Sequence, residues 1–352
     1  MMDERPLTDG TIALLNLDAQ IDALEPEVRI GPASVETRSG LAELIALRGL
    51  IVGCIADYDR ANEIAEQLVR DVPTDPHALL ARARTHAGFH RFNDALADIE
   101  CAEQLSLDAE TANGERAAIF QALGRYDESL VLREEAAKRR ASFEHVAALV
   151  GLHAERGEIE ATERRYEESR SQYRGVSPIP LALLDFQLGL MWMNEGQLDN
   201  ARTSFNAAQR RVPAYAPAGG HLSEVEAELG EVDSAISRLH SLAESSDDPD
   251  YAAQLARILW DVGRDWESRY WRQVAAARYD ELIANHPEAF ADHAAEFWLA
   301  AGADPDKALQ LAKMNLEVRN TPRARSLLAQ AVAAQSASSS AECHENVVPP
   351  CG

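Results

Sequence analysis

Two places in the chain bring together residue types that could do chemistry, and a third gathers large apolar side chains. His86 and His90 lie four apart with Asp94 four further on, so on a helix they share one face, a geometry that a metal ion accepts. Near the end, Cys343, His344 and Cys351 put soft ligands close together. No fourth ligand and no flanking periodic segment accompany them, and a structural zinc site needs both. The tail cysteines read as free thiols, with a disulfide open to them in an oxidising compartment. The third place is LGLMWMNEGQLDNARTSFNAAQRRVP, residues 188–213, where a tryptophan sits between two methionines. That cluster is either a binding surface or core.

Catalytic signatures are missing. Nucleophilic catalysis would need a serine or cysteine on a tight glycine turn with a histidine and a carboxylate at hand, and none is found. Neither a phosphate-cradling glycine loop nor a dinucleotide fingerprint occurs. Carboxylates are abundant, but on solvated helices that is the ordinary condition. No catalytic residue, no metal and no cofactor is assigned, and the chain is expected not to be an enzyme.

The elements that must position any site are helical. Alanine, leucine, glutamate and arginine dominate, and β-branched residues never alternate over a strand-length run. The formal net charge of −24 argues against nucleic acid, which needs a basic face to neutralise phosphates, and against anionic membrane surfaces. The same charge solubilises the surface and attracts basic partners. The acidic start MMDERPLTDGTIALL lacks an apolar stretch of signal-peptide length, and nothing later approaches a membrane span. A cytoplasmic protein is expected, or a periplasmic one if a leader has been removed.

A repeat organises these helices. DRANEIAEQLVRDVP (59–73), NDALADIECAEQLSL (93–107), DESLVLREEAAKRRA (127–141), DNARTSFNAAQRRVP (199–213) and DSAISRLHSLAESSD (233–247) align with a small residue at Ala61, Ala95, Ser129, Ala201 and Ala235, and three of those intervals are 34 residues. A turn precedes each, usually with glycine five residues upstream, at Gly124, Gly196 and Gly230. The unit is helix, turn, helix, turn, with proline ending the second helix at Pro73 and Pro213.

In this pattern the chain resembles the tetratricopeptide repeat family. Leu188, Gly189, Trp192, Gly196, Ala201, Phe205, Ala208 and Pro213 match the family pattern throughout. Weaker copies extend the resemblance over about residues 41 to 320. The copy around Thr162 is longer by about five residues before Pro178, and the seventh has an over-long second helix and a turn that the pattern does not place.

The resemblance implies an all-α, right-handed superhelical solenoid of about eight helix-turn-helix units plus a capping helix. Contacts would run between neighbours only, and the array would make roughly one superhelical turn. Residues 1–40 form an amino-terminal capping segment, in which Leu14, Leu17, Ile21 and Leu24 have helical spacing and PEVRIGPASVETRSG (26–40) is an irregular connection. Residues 41–320 form the array, 321–335 a closing helix and 336–352 a disordered tail.

The family pattern also decides between the readings left open above. His86 falls at a core aromatic place and His90 at the turn glycine, so packing outweighs metal. Trp192 falls at the inter-helix aromatic place and is expected to be buried, with Met191 half-buried between units.

In such arrays the first helix of each unit lines the concave groove. The inward places carry over to Arg84, Gln121 and Glu155 in units two to four, to Leu183, Phe186, Leu190, Met193 and Asn194 in unit five, to Glu224 and Glu228 in unit six, and to Arg257, Trp260 and Asp261 in unit seven. Unit five departs from its neighbours by presenting an almost wholly apolar strip, and an exposed apolar patch with a polar rim marks an interaction site. Packing of Leu183 and Phe186 against the extra residues between units four and five is the alternative. The family's lysine and asparagine clamp for a terminal carboxylate does not fit a chain with three lysines, Lys138, Lys307 and Lys313.

The expected function is a non-catalytic scaffold that binds a protein or peptide segment with apolar and basic residues, with neither nucleic acid nor membrane insertion. Two alternatives remain, a structural subunit that uses its convex face or its ends, and a metal-binding or enzymatic accessory protein. A groove plugged by the chain's own amino-terminal segment favours the structural subunit.

Overall fold

The computed structural model describes residues 6–31 and 33–345, and the regular structure among them is entirely helical. Helix α1 (Gly10–Ile30) precedes eight helix pairs. Units one to four are α2 (Val35–Val52) with α3 (Ile55–Asp71), α4 (Pro76–Gly88) with α5 (Phe92–Gln104), α6 (Ala109–Ala122) with α7 (Tyr126–Arg139), and α8 (Phe143–Glu155) with α9 (Ile159–Gln172). Units five to eight are α10 (Ile179–Asn194) with α11 (Leu198–Arg211), α12 (Ala216–Glu228) with α13 (Val232–Ser245), α14 (Pro249–Asp261) with α15 (Asp265–Asn285), and α16 (Pro287–Leu299) with α17 (Pro305–Val318). Helix α18 (Pro322–Glu345) follows.

One residue with positive φ sets the turn inside each pair. It is glycine at Gly53, Gly124, Gly157, Gly196, Gly230 and Gly263, while His90 (φ 57°) and Ala303 (φ 52°) take the same conformation in units two and eight. The seventh turn is thus placed at Gly263, and α15 is longer than the other second helices at 21 residues. Small residues let the paired helices close. Ala95, Ala201 and Ala235 have no exposed surface, and a Cβ at Gly189 would stand 2.5 Å from the Phe205 ring. Phe205 therefore lies flat on the α10 backbone, fully buried.

Two expectations about the ends are corrected. The connection over 26–40 is mostly helical, because α1 continues past Pro26 to Ile30 and Ser34 caps α2 by accepting from the Thr37 N–H. Helix α18 continues to Glu345, past the expected boundary at 335, while residues 346–352 lie outside the described residues. The side chains of Cys343, His344 and Cys351 are likewise outside what is described. The amino-terminal cap is a helix, with Leu17 and Ile21 buried and Leu14 and Leu24 packed beside them.

The array also winds more tightly than neighbour contacts require. The Thr8 N–H donates to the Val176 carbonyl at 2.8 Å, and Gly10 abuts Arg211 and Pro213. The turn of unit one meets the loop after unit six, where Ser246 Oγ donates to the Gly53 carbonyl and Asp247 accepts from the N–H groups of Ile55 (2.5 Å) and Ala56 (2.9 Å). The turn of unit two meets the loop after unit seven, with Phe89 stacked on His286 at 4.0 Å and His90 Nδ1 3.2 Å from the Glu288 carbonyl. The turn of unit three meets the loop after unit eight, where a Cβ at Gly124 would stand 2.7 Å from the Asn320 carbonyl. Each turn rests on the loop five units later, so the eight units make more than one superhelical turn and the turns stack. Contacts between neighbours alone do not describe this solenoid.

Candidate interaction surface on the concave face and its rim

First helices line the inside of the winding, and in units two to four their inward side chains are tied to one another. Arg84 pairs with Glu43 and, at 2.6 Å, with Glu115. Gln121 donates to Glu155 at 2.6 Å and accepts from Arg133 at 2.8 Å. Burial pushes the Glu155 carboxyl up, while the Gln121 amide, Tyr126 and Arg133 pull it back. Burial also lowers the Arg133 guanidinium to about 10. A ladder of mutually satisfied polar groups is a stiffening element, and it leaves few hydrogen-bonding groups to offer a partner.

In unit five the apolar strip is largely covered. Leu183 and Phe186 are half-buried against a cluster that includes Ile51, Ile179, Val212 and Tyr215, with Leu14 and Leu47 alongside, so the amino-terminal helices lie over this part of α10. Phe186 also meets Phe205, Tyr215 and His221 with ring centroids within 5.7 Å. Leu190 and Met193 are half-buried on Phe205, Leu222 and Val225 of units five and six. Asn194, at the end of α10, is exposed. Within the opening cluster the burial of Met191 and Trp192 is reversed from expectation. Met191 is 1% exposed, whereas Trp192, in the last turn of α10, is half-buried.

In units six and seven the residues separate into two sets. Glu224 is engaged by His221 at 3.3 Å and by Arg257 at 3.9 Å, and both Glu224 and Arg257 are half-buried. Glu228, Trp260 and Asp261 are exposed, with Trp260 at 62% and its neighbour Val262 at 45%. Together with Asn194 and Glu195 they occupy the ends of α10, α12 and α14, beside the turns of units five to seven. The equivalent of Val262 is Phe89 in unit two, which lies under His286 at 5% exposure, and Leu123 in unit three, which is packed on the core. At the same place unit five carries the exposed Glu195 and unit six Leu229, half-buried on its own core, so the exposed apolar residues of this rim are Trp260 and Val262 of unit seven.

The remaining ionisable clusters are structural in geometry. His86 is buried and its Nε2 stands 3.1 Å from Glu66, Asp94 pairs with Arg91, and His90 holds the strained turn. Across units seven and eight, Asp292 is paired with Arg319, His293 lies 3.9 Å from both Asp250 and Asp292, and Arg323 pairs with Glu296. The Asp292 charge raises His293 to about 10, and against the effect of burial His293 and Arg319 hold the Asp292 carboxyl well below its usual range. Among the described residues no group of three or more histidine, cysteine or acidic side chains is disposed to hold a metal ion, and no helix is long and apolar enough to cross a membrane.

Sequence reasoning missed an exposed aromatic stripe on α15, formed by Trp266 and Tyr270 with Val274. Its signal was a second apolar series at helical spacing, beside the core series of Ser268, Trp271, Ala275 and Tyr279 on the same over-long helix.

No family model matches the sequence, and no curated protein matches it. Solved structures do match the fold. A chain of the APC/C hetero-tetramer Cut9–Hcn1 aligns at a TM-score of 0.52 and 15% identity over 90% of this chain and 54% of that one. The human IFIT1 dimer with m7Gppp-AAAA aligns at 0.55 and 14% over 91% of this chain and 77% of that one. The chain thus spans about half the length of the first of these and about three quarters of the second. At such identities the likeness is one of fold.

Proposed function

We propose that this chain, which folds as a tetratricopeptide-repeat solenoid, is a non-catalytic scaffold that docks a segment of another protein on the rim of units five to seven. The observation that carries the reading is Trp260. It stands 62% exposed in the last turn of α14, next to Asp261 in sequence, while Glu228 ends the neighbouring first helix α12. A large aromatic group left in water beside carboxylates suits a partner segment with an apolar anchor and basic flanks. Leu190, Met193 and Arg257 are half-buried on the same first helices, and Asn194 extends the rim at the end of α10. Leu183, Phe186 and Glu224 brace the fold and stand outside the docking surface.

One of the structural neighbours holds a capped oligonucleotide, but a chain of net charge −24 whose inward arginines are paired with carboxylates offers phosphates no site. The second reading is a subunit that joins an assembly by its convex face. It draws support from the cover that the amino-terminal helices place over α10 and from the exposed aromatic residues of α15.

The test is affinity capture with the purified chain from an extract of its own organism, repeated with Trp260→Ser. A partner that the parent retains and the variant loses, at an unchanged melting temperature, is the expected result. Equal retention by both would move the docking surface off the rim, and capture of no partner at any salt concentration would refute the scaffold reading.

A further inference from the structure

On the outer face of units six and seven, α13 and α15 flank an open cleft of about 450 Å³. Trp271 lies 8% exposed at its base, while Trp266 (73%) and Tyr270 (51%) stand out beside it. The Trp266 and Tyr270 rings are nearly parallel, 15° apart with centroids at 6.5 Å. Tyr270 meets Trp271 at 79° and 5.1 Å, and His240 meets Trp271 at 77° and 5.4 Å. Val274 and Ala243 complete the apolar lining.

The register shows that this tryptophan is out of place for a solvated helix. Ser268 is the buried small residue of unit seven and donates to the Ala256 carbonyl, as Ser129 donates to Ala117 in unit three. Two residues before that small residue units three to six and eight carry the solvated acids Asp127, Glu160, Asp199, Asp233 and Asp306, unit one carries Asp59 and unit two Asn93, and unit seven carries an indole. An exposed tryptophan contributes nothing to the core at that place, and solubility is better served by the acid its neighbours have.

The carboxylates of the cleft are Glu244 and Glu267, with His240 beside them, and no lysine or arginine lines it among the described residues. Glu267 is held by Arg264 at 2.5 Å, whereas Glu244 is 63% exposed with His240 at 3.4 Å. Aromatic faces at right angles beside an accessible carboxylate suit a group that is flat, weakly hydrated and positive. The arginine guanidinium has those properties, since it stacks on rings while its N–H groups donate to carboxylate, whereas the lysine ammonium is a compact and strongly hydrated charge.

We propose that the α13–α15 cleft docks an arginine side chain carried on an extended segment of a partner protein. The guanidinium lies against Trp266 and Tyr270 and donates to Glu244, and the aliphatic stem rests on Val274 and Ala243. The site is separate from the groove rim and shares with the scaffold reading only the requirement for a protein partner.

The test is calorimetric titration of the full chain with the capped peptide GSGRGSGRGSG and with twins that carry lysine or citrulline in place of arginine. Citrulline keeps the shape and removes the charge. Saturable binding of the arginine peptide is expected, at least about tenfold tighter than the citrulline twin and tighter than the lysine twin. Trp266→Ala with Tyr270→Ala should weaken it at least about tenfold at an unchanged melting temperature, Glu244→Gln several-fold, and Trp266→Phe with Tyr270→Phe by less than about threefold. The proposal is overturned if the double alanine variant binds as the parent does, if the citrulline twin binds equally, or if choline chloride alone matches the peptide, which would make the cleft a small-cation site. Absence of saturable binding, or a parent dimer that the double variant dissolves, overturns it as well. Trp260→Ser should leave this titration unchanged; loss of peptide binding there, with the α15 variant unaffected, would move the arginine site to the rim and leave the scaffold reading standing.

Discussion

Met191 and Trp192 are adjacent and differ in burial, since successive helix positions turn by about 100° and the second falls in the last turn of its helix. The strongest packing at this point belongs to Phe205, which is fully buried and lies against Gly189. Phe205→Ala should cost about 3–5 kcal/mol through the cavity it leaves, and Trp192→Ala less than that because half of its surface benefit was never gained. Gly189→Ala should also destabilise strongly, since its Cβ would stand 2.5 Å from that ring and a packed core yields little. Thermal melts of the three variants check the order, and a Trp192→Ala variant less stable than Phe205→Ala would contradict it. The family places of Gly189, Ala201, Phe205 and Ala208 were legible in the sequence because close helix approach demands small residues at fixed spacing. The inward faces of Leu183 and Phe186 were misread as open because their cover, Leu47 and Ile51, comes from more than a hundred residues upstream and follows no local pattern.

At the scale of elements, each first helix and its turn announce themselves by glycine and small residues, whereas the partners between windings do not. Helix α3 has Cys54 at its N-cap place with no side-chain cap of its own and takes its cap from Asp247, so Asp247→Ala should cost about 0.5–2 kcal/mol and raise amide exchange at the start of α3. Unchanged exchange there would deny that the two windings are joined. Two histidines give the same region opposite pH dependences. Burial, helped by the Arg319 charge, lowers His90 to about 4, so its stabilisation is full above the unfolded value of about 6.5 and is lost as pH falls towards 4. The Asp292 charge raises His293 to about 10, so its stabilisation is full below about 6.5 and is lost as pH rises towards 10. His90→Asn, which suits the positive φ, should flatten the acid side of the melting profile, and His293→Asn the alkaline side. A profile unchanged in both variants would contradict these assignments.

As a whole molecule, a solenoid whose windings stack loses the independence of its units. The turns of units one to three rest on the loops after units six to eight, so removal of residues 1–60 should lower the stability of units six and seven as well as that of the amino terminus. Amide exchange resolved by segment checks this, and protection of α12 to α15 that survives the truncation would restore the neighbour-only description. The stacking also decides which surfaces are left for a partner, because later loops cover the turns of units one to three, and the rim of units five to seven lies outside that cover. The most direct measurement is titration of a captured partner against the parent, Trp260→Ser, and Glu228→Arg with Asp261→Arg, each variant paired with a thermal melt. Binding at least about tenfold weaker in the rim variants, at parental melting temperature and with an affinity that falls as salt rises, is the expected outcome. Parental affinity in both rim variants would show that the scaffold does not work through this surface.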